Sequence, residues 1–249
     1  MNRGGAGREP AGAVDGDGAV PAAGCEIDHL VVAAHTLAQG AAWCEATLGV
    51  SPGPGGRHAF MGTHNGLLAI GSAAFPQAYL EIIAIDPEAP PPARPRWFGL
   101  DDPALQQALQ QAPRLLHTVV RTPDIARLRA GLVALGLDPG EALAAERDTP
   151  QGRLAWRILV RADGVIGCGG ALPTLIEWQG RHPAQTLAPS PVALVSVELG
   201  GLPRRAVDLL QLRGVTALPT GPVLRVTLDT PRGPVVLDTS IDLTGGRDD

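Results

Sequence analysis

The stretch Ile27-Asp28-His29-Leu30-Val31-Val32 decides how this chain is read, because a close copy of it returns as Leu115-Leu116-His117-Thr118-Val119-Val120. Each copy sets one histidine inside a short aliphatic, β-branched run of the kind that forms a strand. Side chains alternate along a strand with a period of two. The spacing therefore predicts that Ile27, His29 and Val31 share one face, and that Leu115, His117 and Val119 share one face of the second strand. Each histidine then points wherever the inner face of its strand points.

The echo continues downstream. Ala78-Tyr79-Leu80-Glu81-Ile82-Ile83 holds a lone carboxylate in an apolar run, and Thr174-Leu175-Ile176-Glu177-Trp178 does so again. A glutamate in such a strand is costly to bury unless it is paired or bound to a metal. Two units packed face to face, each opening on a strand histidine and closing on a strand glutamate, would supply two imidazoles and two carboxylates. Nitrogen and carboxylate oxygen suit nickel, zinc, manganese or iron. His29, Glu81, His117 and Glu177 are thus candidate ligands of one divalent metal. Singly, each reads better as a satisfied core histidine or a glutamate at a sheet end; the repeated placement favours the metal.

Composition narrows the function classes. The 249 residues allow one sizeable or two small domains, and 45% hydrophobic content is ample for a core that, at 3% aromatic residues, must be mostly aliphatic. A formal charge of −5 without a basic cluster gives no electrostatic footprint for nucleic acid. The sequence has no lysine, which removes Schiff-base catalysis and a P-loop lysine. Three cysteines, Cys25, Cys44 and Cys168, fit neither a disulfide framework nor a thiolate zinc site and read as free thiols in a reducing compartment. No apolar run is long enough for a membrane span, and Asp15 and Asp17 interrupt any signal-like segment. A cytoplasmic monomer or homodimer acting on a small molecule is the expectation.

Punctuation along the chain predicts its units. Residues 1–24 are glycine, alanine and proline with scattered charge and read as a disordered tail. The first βαβββ unit spans 25–86: a histidine strand, a helix opened by Thr36 with Gln39 as its capping-box residue and stopped by Gly49, a turn over Ser51 to Gly56, a strand over Leu67 to Ile70, and the Glu81 strand. Five prolines between Pro87 and Pro95 make a stiff connector, followed by a helical insertion from Trp97 to Ala112, so that 87–113 joins the units. The second unit spans 114–183, with Thr122 as the expected helix cap before Pro123 and strands at Leu154 to Val160 and Leu172 to Trp178. A third, truncated unit without histidine covers 190–243.

These residues resemble the vicinal oxygen chelate superfamily, which includes glyoxalase I, and more closely its glyoxalase-like domain branch. The resemblance covers Cys25 to Pro183 and rests on Ile27-Asp28-His29-Leu30-Val31-Val32, on Gly55-Gly56-Arg57-His58 through Gly62-Thr63-His64-Asn65, on Tyr79-Leu80-Glu81-Ile82-Ile83 and on Leu175-Ile176-Glu177-Trp178. It implies an α+β fold in which paired βαβββ modules form a cupped mixed sheet around a divalent metal. The ligands come from the first and last strand of each module, here His29, Glu81, His117 and Glu177. The connector, the insertion and the third unit depart from compact glyoxalase I and weigh against a glutathione adduct as substrate.

Such a metal would bind adjacent oxygens of a small substrate and stabilise an enediolate, with Glu177 or Glu81 as the proton-transferring base, in a lyase or isomerase reaction. A second reading is a ring-cleaving, extradiol-type dioxygenase using two histidines and one glutamate on ferrous iron. A third is a non-catalytic binding or resistance protein. In each, His58, His64, Asn65, Arg147, Trp156, Trp178 and Arg181 are candidate substrate contacts. His35 and His182, near expected element ends, read as solvated.

Overall fold

The computed structural model describes Met1 and residues 24–239, so the tail expected over 1–24 lies, apart from Met1 and Gly24, outside the described residues. The first unit runs β1 (Glu26–Ala33), α1 (Leu37–Leu48), β2 (Gly53–His58), β3 (Thr63–Ala69) and β4 (Tyr79–Ile85). The connector and insertion hold a 3-10 turn at Trp97–Gly99 and α2 (Pro103–Gln111). The second unit is β5 (Arg114–Arg121), α3 (Ile125–Ala134), β6 (Glu141–Thr149), β7 (Gly152–Val160) and β8 (Thr174–Gln179). A C-terminal unit follows: β9 (Ala193–Gly200), α4 (Arg204–Leu210), β10 (Val215–Leu218), β11 (Leu224–Asp229) and β12 (Val235–Asp238). Among the described residues no helix is long and apolar enough to cross a membrane.

Strands β1 to β8 form one mixed sheet in the order β2-β3-β4-β1-β5-β8-β7-β6. In each unit the first strand lies parallel to the last, β1 with β4 and β5 with β8, and the units join where β1 runs antiparallel to β5. This is the paired βαβββ architecture with a cupped sheet. The C-terminal unit keeps the element order but is wired differently, since β9 lies parallel to β10 and antiparallel to β11 in a separate four-stranded sheet.

Two cores cover the two faces of the large sheet. On the helix side, Leu30, Val32, Cys44, Leu48, Leu80 and Ile82 of the first unit merge with Ile125, Leu128 and Leu175 of the second and with Leu194, Val197, Leu210 and Val226 of the third. On the inner side, Val31, Ile83, Val119, Trp156, Ile158 and Ile176 pack with Trp97, Phe98 and Leu109 of the insertion. Burying each aliphatic side chain contributes roughly 1.5–3 kcal/mol. The third unit therefore stabilises the helix side and leaves the inner side to the insertion.

Several local expectations are corrected. Ile27 and Leu115 pack in the helix-side core, opposite to His29 and His117, because the pairing register shifts between Ile27 and His29 and again between Leu115 and His117. One residue is extra at each shift, Asp28 in β1 and Leu116 in β5. A β-bulge thus precedes each histidine and resets the alternation of faces. The segment read as a turn at Ser51 to Gly56 is mostly edge strand, pairing from Gly53 to His58 with β3. Thr36 and Gly49 cap α1 as expected, with Gly49 at a φ of 75° where glycine is favoured. The cap of α3 is Asp124, accepting from the Arg127 N–H, while the Thr122 hydroxyl accepts from the Asp124 N–H.

Candidate functional site

Strand β1 supplies the centre. Asp28 is completely buried, and its carboxylate accepts hydrogen bonds from three directions: His29 Nδ1 at 2.7 Å on Oδ1, and Trp178 Nε1 at 2.8 Å and His182 Nε2 at 2.9 Å on Oδ2. Burial opposes the charge, but the bonds from His182 and His29 outweigh it and hold the Asp28 carboxyl well below the usual carboxylate range. An ionised carboxylate only accepts, so His29 donates through Nδ1 and His182 through Nε2. His182 then uses Nδ1 to accept from the Ala184 N–H at 3.2 Å.

With Nδ1 fixed, His29 presents Nε2 to Glu81, whose Oε2 lies 3.6 Å away. Strand β4 aims Glu81 inward because Tyr79, Glu81 and Ile83 alternate with Leu80 and Ile82 of the helix-side core. The other oxygen, Oε1, accepts from Asn65 Nδ2 at 2.5 Å, and Asn65 Oδ1 in turn accepts from the Gly56 N–H at 2.7 Å. Tyr79 stacks on His29 with ring centres 4.7 Å apart. Burial, then the Asp28 and Glu81 charges, push the Tyr79 hydroxyl well above its ordinary pKa.

These groups line a chamber whose wall also includes His58, Trp97, Phe98, Arg147, Trp156 and Trp178. His58 Nδ1 lies 3.1 Å from the Thr63 hydroxyl, and burial, followed by the Arg147, His29 and His64 charges, pushes the imidazole pKa down to about 3. Of the seven expected substrate contacts, His58, Asn65, Arg147, Trp156 and Trp178 reach the chamber. His64 and Arg181 do not. His64 alternates with Asn65 on β3 and approaches Asp86 at 3.9 Å, while Arg181 is exposed and donates to the Gln151 carbonyl. His182, expected to be solvated, is buried against Asp28, whereas His35 is exposed.

The structure brings only two of the four expected metal ligands together. His117 is on the inner face, but its Nε2 accepts from the Thr174 N–H at 3.1 Å and lies 3.0 Å from the Thr174 hydroxyl. Phe98 packs against the ring at 5.5 Å. Burial, then the His29 charge, pushes its pKa down to about 3. It behaves as a neutral core histidine. Glu177 sits on the opposite face of β8 from Trp178, where it accepts from the Ile125 N–H at 2.9 Å at the start of α3 and pairs with Arg157.

The register explains the difference. Val31 faces Glu81 across β1 and β4, and Val119, which occupies the place of Val31 in the second unit, faces Thr174 across β5 and β8. The counterpart of Glu81 is therefore Thr174, three residues before Glu177. The first unit carries a histidine–carboxylate pair, the second a histidine–hydroxyl pair with Phe98 packed against its imidazole. Two histidines and two glutamates do not form a common ligand set here, and among the described residues no group of three or more histidines, cysteines, aspartates and glutamates is placed to hold a metal ion.

Comparison with known proteins agrees with this architecture. The family profile described as glyoxalase-like domain matches residues 27–213. A hypothetical protein from Staphylococcus aureus superposes over 86% of this chain and 85% of its own with a TM-score of 0.51 at 15% identity. The methylmalonyl-CoA epimerase of Streptomyces coelicolor covers 64% of this chain and 99% of its own, with a TM-score of 0.40 and 19% identity. That of Mycobacterium tuberculosis covers 63% and 87%, with a TM-score of 0.37 and 14% identity. Curated protein sequences give no match. With three-quarters of its length inside the profile and paired βαβββ modules in its sheet, the chain belongs to the glyoxalase-like domain family of the vicinal oxygen chelate superfamily.

Proposed function

We propose that this protein catalyses proton transfer at a carbon next to a carbonyl of a small molecule held in the inner chamber, a reaction of lyase or isomerase type, with His29 and Glu81 as its acid–base pair. One observation carries this reading: His29 Nε2 and Glu81 Oε2 converge to 3.6 Å at the chamber wall while Asp28 holds the far side of the imidazole. The two basic atoms face the same point of the chamber. With a substrate carbon seated against the pair and one of the two groups protonated, the unprotonated group takes the carbon-bound proton and the other gives its proton at a neighbouring position. The imidazolium formed on His29 lies between two carboxylates, which stabilise it. A substrate filling the largely aromatic chamber would displace water from the pair and strengthen those charge interactions.

No step runs through a metal. With His117 bonded to Thr174 and Glu177 bonded to α3, the chamber offers His29 and Glu81 alone from the expected set, fewer than the three protein ligands of a catalytic zinc site. The ferrous, ring-cleaving reading needs two histidines and a carboxylate on one metal and meets the same obstacle.

The test is deuterium incorporation from D2O into a panel of carbonyl compounds, read by mass spectrometry with wild type, Glu81→Gln and His29→Gln. Exchange that needs both side chains supports the reading. Exchange that is unchanged in Glu81→Gln removes it. Binding without exchange across the panel would leave the family's non-catalytic binding role as the better account.

A further inference from the structure

The edge strands of the large sheet, β2 and β6, approach each other at the mouth of the chamber, and Arg147 spans the gap. The guanidinium of Arg147, on β6, lies so close to Gly56, on β2, that a β-carbon there would fall 2.0 Å from Nη1. Arg147 Nε and Nη1 are both buried, and neither has a hydrogen-bond partner. No carboxylate among the described residues pairs with this arginine: Glu81, the carboxylate of the chamber wall, is engaged by Asn65 and His29. Two buried nitrogens with unmade bonds on a half-buried guanidinium cost free energy in the unliganded protein, and a rearranged, ligand-bound guanidinium would relieve it.

Position adds a second argument. Arg147 and Leu67 line the chamber and also a larger groove bordered by Pro54, Thr149, Leu154 and Pro183. The cation therefore stands where the lining of the aromatic-walled chamber and that of the groove are shared. Its field reaches across the chamber, contributing to the low basicity of His58.

We infer that Arg147 is the anion-binding residue of this site and that the substrate is a small carboxylic acid whose carboxylate docks on Arg147 while its carbonyl faces His29 and Glu81. This rests on the proton-transfer reading for the second half of the statement only. A planar carboxylate suits a guanidinium that no carboxylate of the described residues engages, and its docking there would turn the carbon beyond the carbonyl toward the acid–base pair.

The test uses 2-oxo-4-phenylbutanoate and its neutral amide, 2-oxo-4-phenylbutanamide, titrated by tryptophan fluorescence, since Trp97, Trp156 and Trp178 line the chamber. The expected result is that wild type binds the acid on the order of 10-fold more tightly than the amide, a preference equivalent to one charge-assisted hydrogen bond. Arg147→Met, checked for an unchanged circular dichroism spectrum, should bring the two ligands within about 2-fold while leaving amide affinity as it was, and Arg147→Lys should restore part of the preference. Equal binding of acid and amide by wild type, binding of neither, or a preference that persists in Arg147→Met overturns the inference. Deuterium exchange at the ligand's C3 is followed in the same samples. Preference without exchange sinks only the proton-transfer reading; exchange without an Arg147-dependent preference sinks only the carboxylate assignment.

Discussion

Asp28 and His29 are neighbours in one strand, yet their side chains meet, with His29 Nδ1 donating to Asp28 Oδ1 at 2.7 Å. Regular strand geometry sends successive side chains to opposite faces. The bulge at Asp28 brings them together, so one local irregularity both turns the histidine inward and provides the carboxylate that orients it. Replacing Asp28 with Asn should break this arrangement. An amide nitrogen in place of one carboxylate oxygen meets another donor, either on His29 or on His182 and Trp178. We expect a stability loss of about 1–3 kcal/mol and an exchange rate lower by on the order of 10²-fold. Urea denaturation and exchange kinetics on the same preparation measure both; a fully active Asp28→Asn would remove Asp28 from the mechanism.

Glu81 and Glu177 should separate cleanly. Glu177 holds the first N–H of α3 and Arg157 on the far face of the sheet, so Glu177→Gln should cost about 1 kcal/mol of stability and leave ligand binding and exchange at wild-type levels. Glu81→Gln should do the reverse, keeping a folded protein and abolishing exchange. A loss of exchange in Glu177→Gln with its fold intact would contradict the placement of this residue.

Buried neutral histidines set the acid limit of the fold. His58 and His117 have folded-state pKa values pushed down to about 3, against an unfolded value of about 6.5. Between those values the unfolded chain binds more protons, so stability falls as pH drops from about 6.5 toward about 3. By pH 5 each histidine should have removed about 2 kcal/mol relative to pH 8. His117→Asn should reduce that dependence by its share, whatever it does to stability at pH 8. Denaturation midpoints at several pH values read the slope directly.

The legible part of the site was the part that depends on local periodicity. Strand histidines and Glu81 could be assigned to an inner face because polar residues in apolar strands stand out, and five of seven candidate contacts reach the chamber. Glu177 misled because Leu-Glu-Ile and Ile-Glu-Trp look alike, while equivalence between the modules is set by pairing register, a tertiary property. An offset of three residues is odd, so it also reverses the face. Asp28 carried an unused signal: a second ionisable group directly before a strand histidine has no solvent-facing side if the strand is central, and must be paired. The His182 contact with Asp28 joins residues far apart in sequence, and nothing local marks it.

Gly55 and Gly56 offer the last prediction, because adjacent glycines should respond in opposite ways to one methyl group. At Gly55 a β-carbon would lie 2.1 Å from Asn65 Oδ1 and 2.4 Å from the Asn65 backbone oxygen, so Gly55→Ala must separate β2 from β3 and release Asn65 from Glu81. At Gly56 the obstruction is the tip of Arg147, a long side chain that can swing toward the groove. Gly56→Ala should therefore stay within about 1 kcal/mol of wild type, whereas Gly55→Ala should lose about 2 kcal/mol or more. Because the methyl displaces the guanidinium, Gly56→Ala should also lose most of the preference for 2-oxo-4-phenylbutanoate over its amide while keeping its affinity for the amide. Paired melts and titrations decide it: a Gly56→Ala protein that retains the full preference would mean that Arg147 does not need the space beside Gly56 to hold an anion.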